Sequence, residues 1–263
     1  MDSDFQPRFA PPEPEADEPG DEGMDTRLIW AGLFFSLAIF AEFPGLDLLI
    51  SARYYSPELG FIHRQDPVVL ALYNWTPWLG RGLLVVLLVF ALAAPWLARR
   101  LSGQGHADWA ERCRGAWRHA AVIALCSALV GPGLLIEGVL KNSVGRPRPV
   151  QVTLFGGTAR YQGPLAIGPD PGSHKSFVSS HAAAGFALMG LGLTCGPVWR
   201  RRWFLIGTVT GAAVGMGRIM QGGHFFSDIL FAFYAVWLSC ELVVWIDRKR
   251  LARHAPPPRR RTM

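Results

Sequence analysis

Hydropathy constrains this chain more than any other feature. Apolar runs recur along it, each of roughly 20 residues and so long enough to cross hydrocarbon as a helix. A backbone in hydrocarbon must satisfy its own hydrogen bonds, which favours the helix for such runs. They fall at about 28–46, 81–97, 120–140, 177–195, 203–219 and 225–246. The expectation is an all-α integral membrane protein with six transmembrane helices in one domain, 27–247.

Two tails flank that domain. Residues 1–26 carry nine of the 20 acids, many prolines and few large apolar side chains, the composition of a disordered tail. They lack the basic start of a signal peptide, so the first run should remain as a span. Residues 248–263 form a basic tail ending in Arg259, Arg260 and Arg261. The net charge of +6 does not imply a nucleic-acid partner, because the positive residues cluster at the ends of apolar runs. With the N-terminus inside, cytoplasmic segments hold 17 of the 26 basic residues, which places both termini in the cytoplasm. Cys113, Cys126, Cys195 and Cys240 are isolated and show no metal-ligand spacing.

Between the runs, Val68–Trp75 reads as a short interfacial helix, with Trp75 and Trp78 at headgroup level. Glu42 stands at the outer end of the first span, in a helix-end role. Gly131-Pro132-Gly133 should kink the third span. Glu137, one turn before Lys141, should pair with it. The glycines at 207, 211 and 215 share a face and favour tight packing, within one protomer or between two. Residues 141–176 form an outer loop rich in glycine and proline.

This topology brings three polar segments to one membrane surface: Lys141 to Arg148, Ser179-Ser180-His181, and Arg218 to Asp228. Ionisable groups beside a span are costly and signal function or firm pairing. Cleavage of a phosphate ester needs cations for the non-bridging oxygens, an in-line nucleophile and an acid for the leaving oxygen. Lys141, Arg148 and Arg218 supply charge. Ser179 offers a hydroxyl and also reads as an N-cap. The N–H groups of Ser180 and His181 can face an oxyanion. If 218–228 is helical, His224 and Asp228 share a face. His224 is then the nucleophile with Asp228 holding its tautomer, and His181 the general acid. The residues alone leave the exchange of the two histidines open. Arg146 and Lys175 read as additional loop contacts, and His174 as a polar partner. Asp228 is the one carboxylate within these motifs, so no metal or other cofactor is expected. Lipid transport, or phosphoryl transfer to a lipid acceptor, draws on the same residues.

Lys141-x6-Arg148-Pro149, Ser179-Ser180-His181 and Arg218-x5-His224-x3-Asp228 resemble, in order and placement, the three motifs of the type 2 phosphatidic acid phosphatase (PAP2) superfamily. The resemblance covers about 28–246. It implies a six-helix core and metal-independent phosphatase activity through a phosphohistidine. It also implies phosphate binding by Lys141, Arg148, Ser179 and Arg218, with Ser180 beside them, and catalysis by His224, His181 and Asp228. Val178 and Ser180 replace the usual proline and glycine of the second motif. Val139-Leu-Lys141-Asn, Gly217–Asp228 and Tyr55–Phe61 look like bacterial lipid A phosphatases, particularly the 4'-phosphatase branch. That likeness implies a bacterial inner-membrane enzyme with a periplasmic active site and an amphiphilic phosphorylated lipid as its partner. Relatives acting on phosphatidylglycerophosphate, other phospholipid phosphates or undecaprenyl pyrophosphate share the same motifs.

Overall fold

The computed structural model describes residues 26–254, so the expected N-terminal tail and the end of the C-terminal tail lie outside the described residues. The described chain is mostly helical. α1 (Thr26–Glu42) stops before Pro44, and the chain bends by 87° into α2 (Leu46–Ala52). Proline has no amide proton and its ring crowds the preceding turn, so a helix ends readily there. Glu42 is the exposed last residue of α1. An antiparallel hairpin follows, β1 (Tyr55–Ser56) and β2 (Gly60–Phe61), with Tyr55 opposite Phe61.

α3 (Pro67–Gly103) differs from the expectation. The interfacial helix and the second span are one helix of 37 residues. At 1.5 Å per residue it is about 55 Å long, beyond the thickness of hydrocarbon. Asp66 caps its start, accepting from the N–H groups of Val68 (2.9 Å) and Val69 (3.2 Å), and Pro67 suits the first turn. Pro77 and Pro95 each remove a backbone donor but do not end it.

The next rod also runs longer than expected. α4 (Ala107–Arg112), a π turn, α5 (Arg118–Ala128), a π stretch Leu129–Leu140 and α6 (Lys141–Ser143) are continuous. Gly131-Pro132-Gly133 lies in that π stretch. Widened turns accommodate a residue that cannot donate to the ladder, so the expected irregularity takes that form.

The run at 177–195 is the clearest departure. It forms only α7 (Ser180–Phe186) and a 3-10 stretch, Ala187–Gly192, short of the roughly 20 residues an α-helical span requires. Two long helices complete the chain, α8 (Pro197–Met220) and α9 (Phe226–His254). α9 extends past the expected domain end at 247. Among the described residues four helices are long and apolar enough to cross a membrane, or five with the bent α1–α2 pair counted once. The six-span expectation is not matched.

α9 is the central post. Phe231, Ala232, Val236, Trp237 and Cys240 are buried against Phe40, Ile136, Ala182, Phe186 and Ile219. α3 instead leaves Val85, Val86, Val89 and Leu92 exposed, as a lipid-facing helix does. The glycine stripe of α8 packs inside the protomer. A Cβ at Gly211 would sit 2.1 Å from the Phe186 ring, and one at Gly215 would sit 2.3 Å from Ile229. All four cysteines are free.

Candidate active site

The site lies where α3, α7 and α9 begin and where α6 and α8 end. α8 stops in a Schellman arrangement. Gly222 N–H donates to Ile219 O (2.9 Å) and Gly223 N–H to Arg218 O (2.8 Å). Gly222 has φ +66°, a conformation that glycine adopts without steric cost. The stop falls between the two apolar runs, so the helical condition for a shared face of His224 and Asp228 is not met. His224 lies in the turn, and Asp228 lies in the first turn of α9. Asp228 reaches back to accept from Phe225 N–H (2.9 Å), the acidic half of a capping box.

His224 is buried, with Nδ1 3.5 Å from Asp228 Oδ2. That separation is long for a hydrogen bond and Nδ1 has no other partner, so the carboxylate faces the ring without closing on it. Burial pulls the imidazole down to about 4, against the hydrogen bond and charge of Asp228, which raise it. The ring is therefore neutral at neutral pH.

Behind Asp228 stands a residue that the sequence reading placed elsewhere. Arg146 is not a loop contact at the phosphate. It is fully buried and turned away from the cavity. Its NH1 donates to Asp228 Oδ1 (2.5 Å) and Ser227 Oγ (2.8 Å). NH2 donates to Asp47 Oδ2 (2.7 Å) and Tyr161 Oη (3.4 Å), and Nε donates to Gln162 O (3.0 Å). All five guanidinium protons thus have acceptors. Asp47, from α2, also accepts from Ser227 N–H (2.9 Å) and Ser227 Oγ (2.5 Å). Ser176 Oγ donates to Asp228 Oδ2 (2.6 Å). The aspartates hold Arg146 firmly charged and outweigh burial, which alone would lower its pKa. Asp47 gave no motif signal. Its only mark was an acid in an apolar run after a proline.

The remaining residues stand in front. Tyr73, in α3, lies between two of them. Its ring stacks on His181 at 4.9 Å, and the Arg218 guanidinium carbon lies 4.5 Å from its centroid. Arg218 NH1 donates to Gln221 Oε1, while its buried Nε has no partner. A Cβ at Gly223 would lie 2.2 Å from Arg218 NH2, so this glycine makes room for the guanidinium. Arg148 and Arg218 line one cavity of about 200 Å³ with Tyr73 and Gln221. Lys141 Nζ is 3.0 Å from Glu137 Oε1, as the spacing predicts, and Ser180 Oγ donates to the same oxygen. Ser179 is an N-cap, its Oγ accepting from Ala182 N–H, and its own N–H donates to Asp228 O (3.2 Å). Lys175 is exposed, and His174 Nδ1 is buried without a partner. Among the described residues no three of His, Cys, Asp or Glu gather as a metal site.

Comparison with known proteins gives a consistent picture. The PAP2 superfamily profile matches residues 116–252. A lipid A 4'-phosphatase of Francisella tularensis subsp. novicida (strain U112) is 28% identical over 212 residues, 80% of this chain and 90% of that protein. One from Rhizobium etli is 28% identical over 218 residues, 79% of each chain. One from Rhizobium leguminosarum is 32% identical over 121 residues, 46% of this chain and 50% of that protein. No solved structure matches.

Proposed function

The chain belongs to the PAP2 superfamily, a lipid phosphatase lineage, and from that premise we propose a metal-independent hydrolase of phosphate monoesters on membrane lipid, lipid A at its 4'-phosphate. The observation that carries the reading is a buried histidine with a carboxylate 3.5 Å from its Nδ1 and two arginines on the adjoining cavity. Burial and the nearby cations hold His181 down to about 3 in the free site, so it takes up a proton with the entering phosphate dianion; His224 Nε2 then attacks phosphorus and the leaving oxygen departs with that proton. Asp228 stabilises the imidazolium that forms. Arg148 and Arg218, with Lys141 released from Glu137, balance the charge on the equatorial oxygens. His181 then takes a proton from water, which attacks phosphohistidine and restores His224.

The lipid reading has further support in an apolar groove of about 360 Å³. Leu83, Leu84, Leu87 and Leu129 line it, and it reaches Glu137 and Ser180, so an acyl chain in it would extend from the phosphate site. The residues assigned to catalysis share one end of the helices. Arg99, Arg100, Arg200 and the basic end of α9 are at the other, as the positive-inside rule asks of a periplasmic site in a bacterial inner membrane.

Purified protein in detergent with EDTA is expected to release phosphate from lipid A faster than from phosphatidylglycerophosphate, phosphatidate or undecaprenyl pyrophosphate. A preference for phosphatidate would defeat the lipid A assignment. Activity abolished by EDTA and restored only by metal would defeat the metal-free mechanism.

A further inference from the structure

The cavity of about 200 Å³ holds one cation more than a single phosphoryl group needs. Its wall includes Arg64 and Gln65 beside Arg148, Arg218 and Gln221. A phosphate monoester carries close to two negative charges at neutral pH. Arg148 and Arg218 match them, and Lys141, once released from Glu137 at 3.0 Å, adds a third cation. Arg64 is left over. Among the described residues no carboxylate forms an ion pair with Arg64, Arg148 or Arg218.

Arg64 is not on a loose segment. It follows β2, whose Phe61 packs on the catalytic turn, where a Cβ at Gly222 would lie 2.4 Å from the ring. Phe61 is buried with Val152, Phe155 and Phe225. Arg64 N–H donates to Phe61 O (3.0 Å), and two residues later Asp66 caps α3. The hairpin and the cap therefore fix the Arg64 backbone relative to Arg218 and His224. Arg64 and Gln65 are exposed, so water screens this charge in the free protein, and an anion placed between Arg64, Arg148 and Arg218 would take the place of that water.

We infer that Arg64, with Gln65, forms a second anion subsite beside the scissile phosphate, filled by a phosphate-like group on the same headgroup or on an adjacent lipid. This rests on the phosphatase reading for the first phosphate position. Arg148 and Arg218 are shared between the two positions, so a ligand with two neighbouring anions gains from both.

The test is binding of methylenebisphosphonate and methylphosphonate to purified wild-type protein, Arg64→Ala and Arg64→Lys. Neither ligand is hydrolysed, so the readout is independent of turnover. In neutral detergent the wild type is expected to favour the bisphosphonate by about tenfold, the scale of one charge-assisted hydrogen bond. Arg64→Ala brings the ratio close to one, and Arg64→Lys gives an intermediate value. Nanodiscs distinguish the sources. If an adjacent lipid fills the subsite, phosphatidylglycerol nanodiscs collapse the wild-type ratio while phosphatidylcholine nanodiscs preserve it. If the group lies on the ligand's own headgroup, the ratio holds in both. A wild-type ratio near one in neutral detergent, or a ratio unchanged by Arg64→Ala, overturns the subsite. Failure of the wild type to release phosphate from any lipid would count against the phosphatase reading alone.

Discussion

Two charged regions flank His224 and follow opposite rules. Behind it, Asp47, Arg146 and Asp228 are all 0% exposed, and every Arg146 donor has an acceptor. In front, Arg218 keeps a buried Nε without a partner, and Arg64 and Arg148 share its cavity with no carboxylate paired to them. A fully satisfied buried network resists rearrangement, because any movement leaves a charge unpaired in a low-dielectric interior. An unsatisfied cationic wall is a binding capacity held open. The rear region fixes where the nucleophile stands, and the front region waits for the charge that the substrate brings.

Substitutions should separate the two. The largest effect is expected for Arg146→Ala, which leaves two buried aspartates without their cation and costs about 3–5 kcal/mol of stability. Thermal unfolding checks it. Arg146→Lys should not rescue, since one ammonium cannot reproduce the fork. A normal melting curve for Arg146→Ala would remove the structural role assigned to the rear cluster. Next comes Arg218→Ala, expected to lower kcat/KM by about 10²–10³ with a much smaller change in melting than Arg146→Ala. Equal losses of stability in the two variants would erase the contrast.

Asp47→Asn keeps the shape but not the charge, and Asp228 still pairs with Arg146. A loss of about 1–3 kcal/mol in stability is expected, with kcat reduced less than in Arg218→Ala. A milder test uses pH. The folded His224 value of about 4 lies below the ordinary 6.5, so the ring is neutral over the whole upper range. Its contribution to stability is complete above 6.5 and is lost as pH falls through about 4. The acid limb of kcat/KM that belongs to His224 should therefore lie near 4, and a limb centred near 6.5 would contradict burial as the dominant influence. The smallest effect is expected for Glu137→Gln. It frees Lys141 and should lower KM by about two- to five-fold, the scale of a partly exposed ion pair.

The sequence made the front region readable and the rear one obscure. Lys141, Arg148, His181, Arg218 and His224 stood out because cationic and imidazole side chains beside apolar runs have few bland explanations. Ser179 was readable as a cap and is one. Arg146 sits two residues from Arg148, and spacing cannot say that one turns to the cavity and the other to the interior. Asp47 comes from α2, far from any motif, while the more conspicuous Glu42 is exposed. Tyr73 was hidden in an apparent interfacial helix, because the continuity of α3 through Pro77 depends on tertiary packing. The 177–195 run forms a shorter helical stretch than its hydropathy predicts, for a similar reason. Hydropathy measures whether a segment tolerates hydrocarbon, and α7 with its 3-10 extension meets that condition by packing on α8 and α9.

The central claim is that the rear cluster presents His224 as the phosphate acceptor. The direct measurement is rapid acid-free quench of turnover on lipid A, followed by peptide mass spectrometry, in the wild type and in His224→Ala. The expected result is phosphate on His224 in the wild type, with no phosphopeptide and no turnover in His224→Ala. Continued turnover with no phosphate on His224, or phosphate on another residue in its place, would contradict it.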